Sequence, residues 1–377
     1  MKTWYWTRLA AGVALVGVLL IASSTEAKKP VKPPPGPSQS PCDNAETFAP
    51  DITFWRSVGG HKNTRAAIYL AESDTGCEQL LTEFSIPNFH LIDELKYSTF
   101  DVVGDPSGRV VWIALTSDSG TNAWMQDFHV VAATVVPDGA PIMLLQGDPS
   151  DAHRDLINLD LSPDGRTLVF TRYGDDPDPD YYFQELRVLD IGTCLSGAAC
   201  SVSDGSVLGS VSGLRSEANG DFFYPSWDPW GDRIYVTRMF LNSDFYSAVQ
   251  AYDFVGIWVD SGLLFSDEGL LMRPVSGIGP DGREYLAIAK EVDTACEYIW
   301  LVDVESCEDQ GICLQGPEFA GYYPSWTQDG RLIHAYDGWE AHGGCGLSEV
   351  GVWDGSSGSL EAIFTGQQPN AAAGVIE

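Results

Sequence analysis

The sequence predicts an all-β fold: a six-bladed β-propeller of four-stranded antiparallel blades, its ring closed by the C-terminal tail. Three observations predict it. An extended run, a Gly-centred turn and a second β-rich run recur five times, with turn glycines at Gly108, Gly165, Gly231, Gly282 and Gly330. Their spacings of 57, 66, 51 and 48 residues each suit one four-stranded blade with variable loops. Pro-Ser-Trp precedes the turn at Pro225 and again at Pro324, a repetition that an ordinary sandwich of sheets would not supply.

The most regular copy runs from Leu159 to Phe170 around Ser-Pro-Asp-Gly, and others span Tyr224 to Val236, Val275 to Leu286 and Tyr323 to Ile333. A looser copy spans Phe100 to Trp112. Pro presets φ at the start of such a turn, Asp bonds its own backbone, and Gly accepts positive φ where antiparallel strands reverse. The flanking residues are β-branched, aromatic or Leu, as sheets buried between neighbouring sheets require.

Taken in chain order, residues 1–27 read as an export signal. Lys2 and Arg8 make a basic start, Leu9 to Ala22 is apolar, and Thr25-Glu-Ala27 offers a small-residue cleavage site. The apolar run is short for a bilayer span, so no stable membrane span is expected after cleavage; Lys28, Lys29 and Lys32 beyond it leave an uncleaved N-terminal anchor as the other reading. Residues 28–41 form a Pro-rich spacer without an apolar face. The propeller then takes residues 42–377. Asp51 to Arg56 and Ala66 to Ala71 read as the second and third strands of blade one. Blades two to six begin near Tyr97, Leu156, Tyr224, Pro274 and Tyr323. In the tail, Gln368 to Gly374 repeats the Pro-to-Gly spacing of the other inner strands and is expected to supply the missing inner strand of blade one, removing open sheet edges.

Eight cysteines fit an oxidising compartment. Cys194 with Cys200 and Cys307 with Cys313 share one spacing after comparable strands, so each pair is expected to bridge a third-to-fourth connection. Cys296 and Cys345 fall in equivalent loops of adjacent blades and are expected to pair, leaving Cys42 with Cys77. The net charge of −32 repels nucleic acid and anionic membrane. Past residue 32 the only lysines are Lys62, Lys96 and Lys290. The chain is read as a periplasmic or secreted monomer.

The Ser-Pro-Asp-Gly turn at 162–165, Pro-Ser-Trp at 225 and 324, and the later Val-Leu-Asp and Leu-Val-Asp strands resemble the TolB-type repeat, over about residues 45–375. That family builds six-bladed propellers, mostly in exported bacterial proteins. TolB carries an N-terminal α/β domain where this chain has the Pro-rich spacer, so the resemblance implies the fold and not TolB's role in the envelope.

The loops joining second to third strands, and those joining blades, should share one face. Aromatic and acidic stretches fall there, and binding residues concentrate on loops over rigid scaffolds. Trp124, Tyr181, Tyr182, Phe245, Tyr246 and Trp339 are candidate anchors for an envelope or extracellular protein or glycan; the other reading is that they cap the propeller channel. Asp175, Asp176, Asp178 and Asp180 could offer oxygens to Ca²⁺, or form a solvated acidic loop. His61, His153 and His342 also map to this face, beside acidic residues. Some TolB-like propellers, the oligogalacturonate lyases, hold a divalent metal by channel-mouth histidines, which keeps a metal-dependent polysaccharide lyase or hydrolase as the alternative. No Gly-x-Ser-x-Gly elbow occurs for a serine hydrolase. The expectation is a non-enzymatic binding module.

Overall fold

Extended backbone gathers the β-branched and aromatic runs into six four-stranded sheets. The structure, a computed structural model, describes residues 52–58, 65–72, 77–85, 102–104, 109–117, 126–134, 142–146, 155–175, 181–195, 200–214, 219–241, 245–291, 297–311, 313, 319–320, 322–326, 330–336, 349–353, 361–365 and 374–375. The chain divides into two compact units, Met1–Ser40 and Pro41–Glu377, and every described residue lies in the second. The expected export signal and nearly all of the spacer fall in the first, outside the described residues.

Sheet one contains β1 (Ile52–Val58), β2 (Arg65–Ala71) and β3 (Glu78–Ser85). Sheet two is β4 (Val102–Gly104), β5 (Arg109–Ser117), β6 (Gln126–Thr134) and β7 (Ile142–Gln146). Sheet three is β8 (Asp155–Leu161), β9 (Thr167–Asp175), β10 (Tyr181–Asp190) and β11 (Ser206–Leu214). Sheet four is β12 (Asn219–Trp227), β13 (Arg233–Leu241), β14 (Phe245–Phe254) and β15 (Trp258–Glu268). Sheet five is β16 (Leu271–Ile278), β17 (Glu284–Glu291), β18 (Glu297–Asp303) and β19 (Phe319–Ala320). Sheet six is β20 (Tyr322–Trp326), β21 (Leu332–Tyr336), β22 (Glu349–Trp353) and β23 (Glu361–Thr365).

The tail strand β24 (Gly374–Val375) joins sheet one, antiparallel to β1, with Ile52 opposite Val375 and Thr53 opposite Gly374. Within each sheet the strands follow chain order, apart from β24. The edge strands β24, β4, β8, β12, β16 and β20 touch in that order, and β20 touches β24. Sheets built from consecutive strands, with their edge strands meeting side by side, are the layout of a β-propeller.

The second strands of sheets three and five are buried on consecutive residues rather than on alternate ones, as expected of sheets covered on both faces. Leu168, Val169 and Phe170 of β9 and Leu286 to Ala289 of β17 are fully buried. Val169, Leu186 and Val188 of sheet three meet Phe222, Trp227, Ile234 and Val236 of sheet four. Tyr235 and Val249 of sheet four meet Leu271, Leu286, Ile288 and Val302 of sheet five. Trp326 and Leu332 of sheet six cover Ala287 and Ile299 of sheet five. Polar bonds stitch the same seams: Gln184 Nε2 donates to Phe222 O at 2.7 Å, and Trp227 N donates to Asp160 Oδ2 at 2.7 Å.

The turn chemistry is visible at Ser162 to Gly165. Ser162 Oγ donates to Asp164 Oδ1 at 2.6 Å and accepts from Thr167 N at 2.8 Å, while Gly165 takes φ of 66°. β12 begins at Asn219, five residues ahead of the expected start at Tyr224, because two bulges let pairing continue past irregular register.

Cys194–Cys200 and Cys307–Cys313 are disulfides with Cα atoms 5.5 and 4.4 Å apart. Each clips a helical turn between third and fourth strands, α1 (Gly192–Leu195) and α2 (Val304–Gln310). These turns were not expected. Asp303 caps α2 by accepting from Ser306 N at 3.0 Å, and Gly311 ends it. Cys77 is buried between β2 and β3, while Cys42, Cys296 and Cys345 lie outside the described residues.

Candidate functional site

The edge strands carry a feature that composition does not advertise. Asn158, Tyr224 and Arg273 each adopt left-handed backbone, with φ of 48°, 52° and 51°. Each sits at a register shift in the first strand of its sheet: β8, β12 and β16. Pro225 and Pro274 follow directly, where the bulge has already given up a ladder bond and a missing N–H costs nothing. Left-handed backbone is uncommon for Asn and rare for Tyr and Arg, and such strain concentrates at functional positions.

The three residues form a ladder across sheets three, four and five. Tyr224 N donates to Asn158 Oδ1 at 3.3 Å, and the Arg273 guanidinium lies 4.7 Å from the centre of the Tyr224 ring. Because Oδ1 receives that N–H, the Asn158 amide is oriented, and its Nδ2 is buried with no hydrogen-bond partner. Asn158 is only 3% exposed, whereas Tyr224 and Arg273 are half-buried. The ladder thus sets a buried, oriented amide donor beside a cation stacked on an aromatic ring.

The sequence pointed elsewhere. Tyr181 and Tyr182 open β10, and Phe245 and Tyr246 open β14, so the four belong to strands and not to loop insertions. The hairpins extend further than expected because pairing persists to their ends: Tyr182 faces Asp175, and Phe245 faces Leu241. Tyr246 stacks on Phe240 across that pairing, centroids 4.7 Å apart and planes 10° from parallel, a cross-strand contact that supports the sheet. Asp175 likewise ends β9 instead of lying in the acidic loop. Asp176, Asp178, Asp180, Trp124, Trp339, His61, His153 and His342 lie outside the described residues. Among the described residues no three His, Cys, Asp or Glu side chains converge as a metal site.

The opposite ends of the strands carry a carboxylate network between sheets four and five. Asp228 Oδ1 accepts from the backbone N–H groups of Asp232 and Arg233, both at 2.9 Å. Glu284 Oε1 accepts from Tyr235 Oη at 2.9 Å and Ser276 Oγ at 2.7 Å. Arg233 donates to Asp253 at 2.5 Å and Glu308 at 2.7 Å. Burial pushes the Asp228 carboxyl up to about 7; the Arg233 N–H opposes the rise, and the charges of Asp232 and Glu284 add to it. Burial also raises Glu284.

A raised carboxyl makes stability fall with pH. Between roughly pH 4 and 7 the unfolded chain releases the Asp228 proton while the folded chain keeps it, so the contribution is lost as pH rises. Asp228→Asn is expected to flatten this fall. Denaturant titrations at pH 5 and pH 8 should show a smaller difference for the variant than for the parent; equal differences would refute the assignment.

No family model matches the chain, and no curated protein matches it. Solved structures do. A protein assigned as TolB from Agrobacterium tumefaciens is similar at TM-score 0.49 and 13% identity, over 88% of this chain and 100% of that one. The periplasmic gluconolactonase PpgL of Pseudomonas aeruginosa is similar at TM-score 0.41 and 13% identity, over 82% and 81%. An oligogalacturonate lyase in complex with manganese is similar at TM-score 0.38 and 10% identity, over 84% and 74%. These likenesses do not bear on activity.

Proposed function

We propose that the chain is an exported, non-enzymatic binding module that recognises an envelope or extracellular protein or glycan on the inner, edge-strand side of its sheets. The observation that carries this reading is the Asn158–Tyr224–Arg273 ladder, in which a buried amide donor is left without a partner. An unmet donor in a protein interior costs free energy, and a ligand acceptor would recover it. Two local disulfides and the leader-like N-terminus support export. Trp124, Trp339 and the second-to-third loops remain part of the proposed surface.

The test is retention of an envelope-fraction partner on the immobilised protein. The parent should retain a saturable partner, and Arg273→Gln should lose at least about tenfold in affinity, the order expected for removing an anchoring charge. Loss of its ring contact contributes about 0.5–1 kcal/mol to the accompanying change in stability. Unchanged retention in Arg273→Gln would overturn the site. One transition metal per chain in elemental analysis would instead favour a metal-dependent lyase or hydrolase.

A further inference from the structure

The β14–β15 hairpin of sheet four holds an apolar tip in solvent. Val255 is 75% exposed and Ile257 70%, and Phe254 and Val259 flank them, also exposed. Trp230, 62% exposed, joins them from the turn between β12 and β13. In sheets three and five the same third-to-fourth connection is a disulfide-clipped helical turn. In sheet four it is a tight reversal, with Phe254 paired to Trp258 and Val255 N donating to Ile257 O at 3.1 Å.

The tip is anchored. Phe254 N donates to Asp232 O at 2.7 Å, fixing the hairpin beside the Trp230 turn. The Trp258 ring packs 5.1 Å from Phe254 and 5.4 Å from Trp227, which is buried in the core. An apolar surface held rigidly loses little entropy when something covers it. Exposed clusters of large apolar side chains, rimmed by polar residues, mark interaction surfaces.

The rim fixes the partner's chemistry. Asp232 and Asp260 are exposed beside the hairpin, and Asp253 and Glu308 border it. Arg233, the cation among them, is already bonded to Asp253 and Glu308. The whole chain carries −32, so a second copy or an anionic membrane would be repelled. A cationic rim around an apolar face would be attracted.

We propose that the hairpin tip formed by Trp230, Phe254, Val255 and Ile257 is a docking surface for a protein segment whose apolar face is flanked by lysine or arginine. It lies at the strand ends opposite the second-to-third loops, and it stands or falls independently of the ladder.

The probe is a synthetic amphipathic Leu/Lys peptide, titrated against the full chain by calorimetry at about 0.15 M salt. A Ser/Lys peptide of equal charge and a Leu/Glu peptide serve as controls. The Leu/Lys peptide should bind at least about tenfold tighter than the Ser/Lys peptide, and the Leu/Glu peptide should not bind. The double variant V255S/I257S should lose at least about tenfold in affinity for the Leu/Lys peptide, with its melting transition unchanged because both side chains are exposed. Equal affinity of parent and variant, or equal affinity for the Leu/Lys and Ser/Lys peptides, would overturn the proposal. So would a parent dimer that the variant lacks, which makes a second copy the occupant. Variant-sensitive sedimentation with phosphatidylcholine vesicles would likewise assign the tip to lipid.

Discussion

Trp326→Ala is expected to cost about 3–5 kcal/mol, and Gly277→Ala about 1–3 kcal/mol, yet the two together should cost less than their sum. Trp326 seals the seam between sheets five and six. It is 7% exposed, packs on Ala287, Ile299 and Leu332, and donates from Nε1 to Val275 O at 3.0 Å. Gly277 of β16 lies directly beneath its ring. A Cβ placed there would come within 2.5 Å of Trp326 Cδ1 and closer still to Cγ and Cβ. Rigid ring and backbone leave no flexible end to yield. Removing the indole relieves the contacts with Cγ and Cδ1 and opens space beside position 277, while the Cβ kept at position 326 still crowds the added carbon, so the penalties offset one another only in part. Urea titrations of the four proteins measure the coupling. Strict additivity would mean that the ring does not sit over Gly277.

Repeat positions were legible because the turns restrict their residues. Gly165, Gly231, Gly282 and Gly330 all take positive φ between first and second strands, where Asp, joined by Pro in the first three turns, had marked the reversal. The paired cysteines were legible for a similar reason: equal spacing after equivalent strands put Cys194–Cys200 and Cys307–Cys313 at the same connection. Sheet one could be read as lacking an inner strand because Ile52–Val58 and Arg65–Ala71 have no turn-preceding partner ahead of them.

Other features are set by tertiary contact. A residue before Pro is biased toward extended backbone, so Tyr224 and Arg273 gave no sign of their left-handed conformation. Their position before Pro225 and Pro274 was the available signal, since Pro within an edge strand points to a bulge. Tyr181, Tyr182, Phe245 and Tyr246 were assigned to loops because acidic and small residues surround them, but hairpin pairing carries the strands through. The tip from Phe254 to Val259 is an apolar run that the hairpin turns outward.

The ladder and the hairpin both presuppose that the sheets follow one another with their edge strands adjacent, the first sheet receiving its edge strand from the far end of the chain. Deleting residues 367–377 removes β24, which pairs with β1 and touches β4 and β20. Without it, sheet one loses an edge strand and the sheets on either side lose a neighbour, exposing backbone donors and acceptors that β24 had covered. The effect should be global rather than a frayed end, because the strand is shared by parts of the chain far apart in sequence. Calorimetry of the truncated chain beside the full one tests this most directly. The account predicts that the single cooperative unfolding transition of the full chain is lost or broadened and shifted far down in temperature. A truncated chain that melts in the same transition as the parent would contradict it.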